Sequence, residues 1–109
     1  MNTRKRATPM SDKTMATLEK IAHRKFTLAN LLWSIRETEE MTQREFAKLL
    51  DVSPQYLCDV ERGRKMVSPK MAAEFAKRLK RNPLKFIRLA LQDELNKSGL
   101  RVEVDVKAA

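Results

Sequence analysis

The chain has 109 residues, 23 basic against 14 acidic side chains, and a formal net charge of +9. That length fits one compact domain, and only 2 glycines and 4 prolines argue against a turn-dense β fold and for helices joined by short loops. No apolar run approaches the ~20 residues that span a membrane, and one histidine, one cysteine and no glycine-rich phosphate loop leave little from which to build an enzyme.

Residues 1–10 (MNTRKRATPM) show no apolar period and contain Pro9. They read as a flexible basic arm and, with no apolar core behind them, not as a secretory signal. Over residues 11–27, Met15, Leu18, Ala22 and Phe26 recur at three- or four-residue steps, which predicts an amphipathic helical extension. Leu28, Leu31, Leu32 and Ile35 continue with the spacing of a buried helical face. The pattern leaves open whether Thr27 caps a new helix or one helix runs from Asp12 to Thr38.

The following boundaries are sharper. Thr42 with Glu45 three residues on forms a capping box, opening a helix whose inner face is Phe46, Ala47 and Leu50. Ser53-Pro54 places a cap residue before a proline at the first helical position, where a missing N–H costs nothing. That helix runs through Leu57 and Val60 and stops at Gly63, the residue best suited to a left-handed cap. Ser68-Pro69 repeats the start signal before the stripe Met71, Ala72, Phe75, Ala76 and Leu79. Asn82-Pro83 repeats it again, with Leu84, Ile87, Leu91 and Leu95 expected inward until Ser98-Gly99 ends the helix.

The tail changes period. Leu100, Val102, Val104 and Val106 alternate with Arg101, Glu103, Asp105 and Lys107, the pattern of a strand with one apolar face. With no second strand in the sequence, it is expected to pair with another chain. The fold expected is therefore all-α. It comprises a helical extension at 11–27, a five-helix unit at 28–97 and a C-terminal β-strand within the 98–109 tail.

The charge is unevenly placed. Residues 1–27 carry +5, residues 28–60 carry −3, residues 61–88 carry +8 and residues 89–109 carry −1. Two basic blocks flanking an acidic middle would attract a polyanion through phosphate contacts and counterion release.

Between the capping box and Gly63, two short helices joined by a tight turn, the second with a polar outer face, suit the major groove of DNA. From Met41 to Arg64 the chain reads MTQREFAKLLDVSPQYLCDVERGR. The string resembles the lambda-repressor/Cro-like (Xre) helix-turn-helix family, over about half of the chain. The resemblance implies a five-helix domain that binds double-stranded DNA without a cofactor or metal. It also implies that Gln43 contacts phosphate and buttresses the recognition helix. Pro54, Gln55, Tyr56 and Asp59 then face the bases, and Arg44, Ser53, Arg62, Arg64 and Lys65 join Gln43 on the phosphates. This sequence departs from a basic reader: no Lys or Arg lies between Leu49 and Glu61. Gln55 is suited to adenine and Asp59 to cytosine N4, each good contact discriminating by roughly 1–3 kcal/mol. Pro54 offers only ring contact with a thymine methyl.

Cys58 reads as a small helical residue and His23 as a surface histidine. Trp33 falls off the Leu28 stripe, at the core's edge or in a subunit interface. Arg4, Lys5 and Arg6 form either a solvated tail or an arm reaching DNA. The function expected is a transcriptional regulator, a repressor binding a palindromic operator as a homodimer, its tail residues Leu100, Val102, Val104 and Val106 pairing across the dyad. The alternative is the antitoxin of a type II toxin–antitoxin module, whose tail or extension clamps a protein toxin. Either places the chain in the cytoplasm with the nucleoid, where a lone thiol stays reduced.

Overall fold

The structure is a computed structural model that describes residues 26–109. The arm at 1–10 and nearly all of the 11–27 extension, with His23, lie outside the described residues. Five helices follow: α1 (Leu28–Thr38), α2 (Gln43–Leu50), α3 (Pro54–Glu61), α4 (Pro69–Leu79) and α5 (Pro83–Lys97).

Each helix begins on a side-chain cap. Thr27 opens α1, its hydroxyl accepting from the Asn30 N–H at 3.1 Å while the Asn30 side chain accepts from the Thr27 N–H. This settles the question left open by the sequence: α1 starts at Leu28. Thr42 and Glu45 form the expected box at α2. Ser53, Ser68 and Asn82 cap α3, α4 and α5, each before proline. Such caps satisfy N–H groups that the helix itself leaves open, at about 1 kcal/mol each.

The helix ends follow one geometry. Gly63 (φ +79°) ends α3 and Gly99 (φ +81°) ends α5. Arg64 N–H donates to Asp59 C=O at 2.7 Å, and Leu100 N–H to Leu95 C=O at 3.0 Å, the long bonds of this left-handed closure. The helices α2 and α4 use Asp51 (φ 62°) and Lys80 (φ 57°) in the same role, although neither is a glycine.

The core joins Leu28, Leu32 and Ile35 of α1 to Phe46, Ala47 and Leu50 of α2 and to Leu57 and Val60 of α3. Ala72, Phe75 and Ala76 of α4 complete it with Phe86, Leu89 and Ala90 of α5. The helix α5 packs chiefly on α4 and also on α1, while α2 lies against α3 and α4. The inward face expected for α5 is rotated. Leu84, Ile87, Leu91 and Leu95 are half-buried, whereas Phe86, Leu89 and Ala90 are sealed. Beyond Ala90 the inner face carries the buried Gln92 and the half-buried Asp93, so polar residues interrupt it while the aliphatic stripe runs on unbroken.

The C-terminal β-strand is not formed: among the described residues there is no strand. The tail binds a side chain instead of another backbone. Gln92 on α5, 4% exposed, donates from Nε2 to the Val102 carbonyl at 2.7 Å and to Asn96 Oδ1 at 3.0 Å. Its Oε1 accepts from the Val104 N–H at 3.0 Å. One amide thus offers the tail both a donor and an acceptor, as a neighbouring strand would. Val104 and Val106 become half-buried, while Leu100 and Val102 stay exposed. Replacing Gln92 with leucine is expected to abolish hydrogen-exchange protection at Val104 and to lower stability by about 1–2 kcal/mol. Protection retained at Val104 would show that the tail is held some other way.

Candidate nucleic-acid interface

The chain at 51–53 turns tightly because Asp51 adopts the left-handed conformation and Val52 N–H returns to Ala47 C=O at 2.9 Å. Ser53 then caps α3, accepting from Tyr56 N–H at 3.0 Å. Buried Ala47 lets α2 and α3 approach, and Leu57 and Val60 point inward. The opposite face of α3 holds Pro54 and Gln55, both exposed, and Asp59, half-buried.

A buried charged network fixes this pair of helices. Glu61, the last residue of α3, has a side chain only 6% exposed. It receives a two-pronged bond from Arg36 on α1, Nε at 2.8 Å and the terminal nitrogen at 3.0 Å. The remaining guanidinium nitrogen donates to the Met41 carbonyl at 3.0 Å, just before α2. That hydrogen bond to Glu61 raises the Arg36 pKa above its ordinary value, so the guanidinium stays charged. Gln43, at the start of α2, donates Nε2 to Glu61 Oε1 at 2.8 Å. One carboxylate therefore ties α1, α2 and α3 together. The amide nitrogen of Gln43 has a second N–H to offer outward.

The outer face of α3 is also pre-arranged. Gln55 Nε2 donates to Asp59 Oδ1 at 3.1 Å, and Arg64 reaches the same oxygen at 3.4 Å. Asp59 thus sets which way round the Gln55 amide sits and draws Arg64 back along the helix. Tyr56 is half-buried rather than fully presented: its hydroxyl lies 3.6 Å from Met71 sulfur on α4, and burial raises its pKa. Lys65 lies over the Tyr56 ring, 5.6 Å from its centre. Arg62, Arg64 and Lys65 are exposed in the hook after α3, and Arg44 is exposed on the first turn of α2. Ser53 uses its oxygen as the cap and retains its hydroxyl hydrogen as a donor.

The sequence reading gave no role to Arg36 or Glu61. The signal available was weak: Arg36 sits beside the buried Ile35, and Glu61 is one of only two acids among ten bases over residues 61–88. Trp33 is 49% exposed on α1, and Cys58 is a half-buried free thiol. Among the described residues no cluster of His, Cys, Asp and Glu could hold a metal ion. No described helix is long and apolar enough to cross a membrane.

A tight two-helix unit with a capped, outward polar second helix and cations gathered at its exit defines a DNA-binding helix-turn-helix domain. The chain belongs to the helix-turn-helix family, whose model matches residues 34–86. Two crystal structures of the clp gene regulator ClgR from Corynebacterium glutamicum are similar to it. One is 35% identical, covering 61% of this chain and 86% of that one, with a TM-score of 0.49. The other is 32% identical, covering 66% and 77%, with a TM-score of 0.48. No curated protein matches the chain.

Proposed function

We propose that the protein is a sequence-specific, double-stranded DNA-binding transcriptional regulator that represses by occupying a palindromic operator as a homodimer. The observation that carries this reading is the outer face of α3, where Asp59 orients the exposed Gln55 amide. Gln55 reads adenine in the major groove, and Asp59 and Pro54 shape the neighbouring contacts. Tyr56 supports Lys65 at the backbone. Gln43, Arg44, Ser53, Arg62, Arg64 and Lys65 meet phosphates on either side of the groove. A second copy doubles contacts too few for tight binding by one reader. The exposed Leu100 and Val102, on a tail anchored by Gln92, offer an apolar surface for that copy.

Selection from a randomised duplex library tests the reading. Wild type is expected to enrich a palindrome. Gln55→Ala is expected to relax selection at one position in each half-site, and Gln43→Ala to weaken all sites alike. Equal binding of wild type to every sequence would refute specific readout.

A further inference from the structure

We propose that the cleft between the start of α1, the Gly63–Val67 hook and the last turns of α5 binds a small zwitterion with an apolar body, an α-amino acid being its simplest form. The cleft holds about 450 Å³, within the size range of small-molecule sites. Leu28, Val60 and Val67 supply an apolar floor, with Met66 at the margin. Residues of both charge signs line it. Asp93 contributes a carboxyl whose Oδ2 accepts from Leu28 N–H at 3.1 Å. Its Oδ1 is buried with no hydrogen-bond partner among the described residues. Burial accordingly raises the Asp93 pKa. An unpaired buried acceptor favours a ligand that brings a donor, and an ammonium group brings a charge-assisted one. Lys97 lines the same cleft as an exposed cation, together with Arg64 and Lys65, whose charged ends rest at Asp59 and over the Tyr56 ring. They suit a carboxylate at the other end of the ligand and disfavour a simple cation.

The position also suggests a consequence, which rests on the DNA reading above. Arg64 and Lys65 are proposed phosphate contacts, and their N–H groups bond Asp59 C=O at 2.7 and 3.3 Å, at the end of the recognition helix. A carboxylate in the cleft that draws these two cations away from Asp59 and the Tyr56 ring competes with DNA for them. Ligand and operator then weaken each other by the same factor.

The test is calorimetric titration of the full chain, without DNA, against phenylalanine, phenylalaninamide and N-acetylphenylalanine. Phenylalanine is expected to bind, with the amide and the acetyl derivative each weaker by about tenfold or more. Asp93→Asn should erase the preference over the acetyl derivative. Lys97→Ala, at an exposed position, should narrow the preference over the amide, and keeps the test open if Asp93→Asn does not fold. No heat with phenylalanine, leucine or tryptophan at millimolar concentration overturns the proposal, as does equal binding of all three phenylalanine compounds. Repeating the titration with operator present tests the coupling: unchanged ligand affinity overturns the competition but leaves the cleft assigned. Because the first titration contains no DNA, failure of the DNA reading does not affect its outcome.

Discussion

Replacing Glu61 with alanine is expected to destabilise the domain by about 3–5 kcal/mol, the cost of leaving a buried charge without its partner. Arg36, its side chain 13% exposed, would lose both of its bonds to Glu61 and keep the Met41 carbonyl and a 4.0 Å ion pair with the more exposed Glu37. A loss of that size is a large fraction of the stability of a small domain. Urea denaturation would show it as a lower midpoint at constant slope. The double variant Arg36→Met, Glu61→Leu is expected to recover most of the loss, since an apolar pair removes the unpaired charge and its desolvation together. If Glu61→Ala costs under about 1 kcal/mol, the pair behaves as a surface ion pair and the account is wrong. The double variant also separates stability from binding. It folds but leaves Gln43 without the carboxylate that orients it, so its DNA affinity should remain low.

Neutralising Arg62, Arg64 and Lys65 together to alanine should flatten the salt dependence of DNA binding. Each lost phosphate contact removes about 0.9 from the slope of log K against log salt, or about 2.7 for three. Scaled from 1 M salt, that difference reaches about 500-fold in affinity at 0.1 M. The matched control is Lys77, Arg81 and Lys85, exposed near the α4–α5 corner rather than in the hook after α3. Their neutralisation should change the slope by less than about 1. Equal changes in the two triple variants would mean that the chain is attracted to DNA by net charge alone. Fluorescence anisotropy at several salt concentrations reads both.

The acidic character of α3 gives this proposed division of labour a physical basis. The helix α3 carries Asp59 and Glu61 and no base. One acid is buried in the Arg36 fork and the other is engaged by Gln55 and Arg64. Neither stands as a naked charge toward a phosphate, which is what the proposed anchoring by Arg62, Arg64 and Lys65 requires of a helix that would otherwise be repelled.

Local signals carried most of the architecture. Thr42 with Glu45, and Ser53, Ser68 and Asn82 before their prolines, each act over three residues and need no distant partner. The sequence therefore determined where α2 to α5 begin, and Gly63 and Gly99 where two of them end. The apolar stripes of α1 and α2 were equally legible, because each of these helices offers only one apolar face.

Tertiary structure decided what those signals left degenerate. The helix α5 has two apolar stripes, and packing against α4 and α1 selected Phe86, Leu89 and Ala90 over the more uniform aliphatic set. The alternating tail met a buried glutamine rather than a strand, because Gln92 satisfies the Val102 carbonyl and the Val104 amide that periodicity would assign to a β partner. Arg36 and Glu61 lie 25 residues apart in sequence yet form a 2.8 Å bond. A period or a cap reports the few residues around it, whereas the choice of a buried face, a tail's partner or an ion pair is made by surfaces that meet only once the chain has folded.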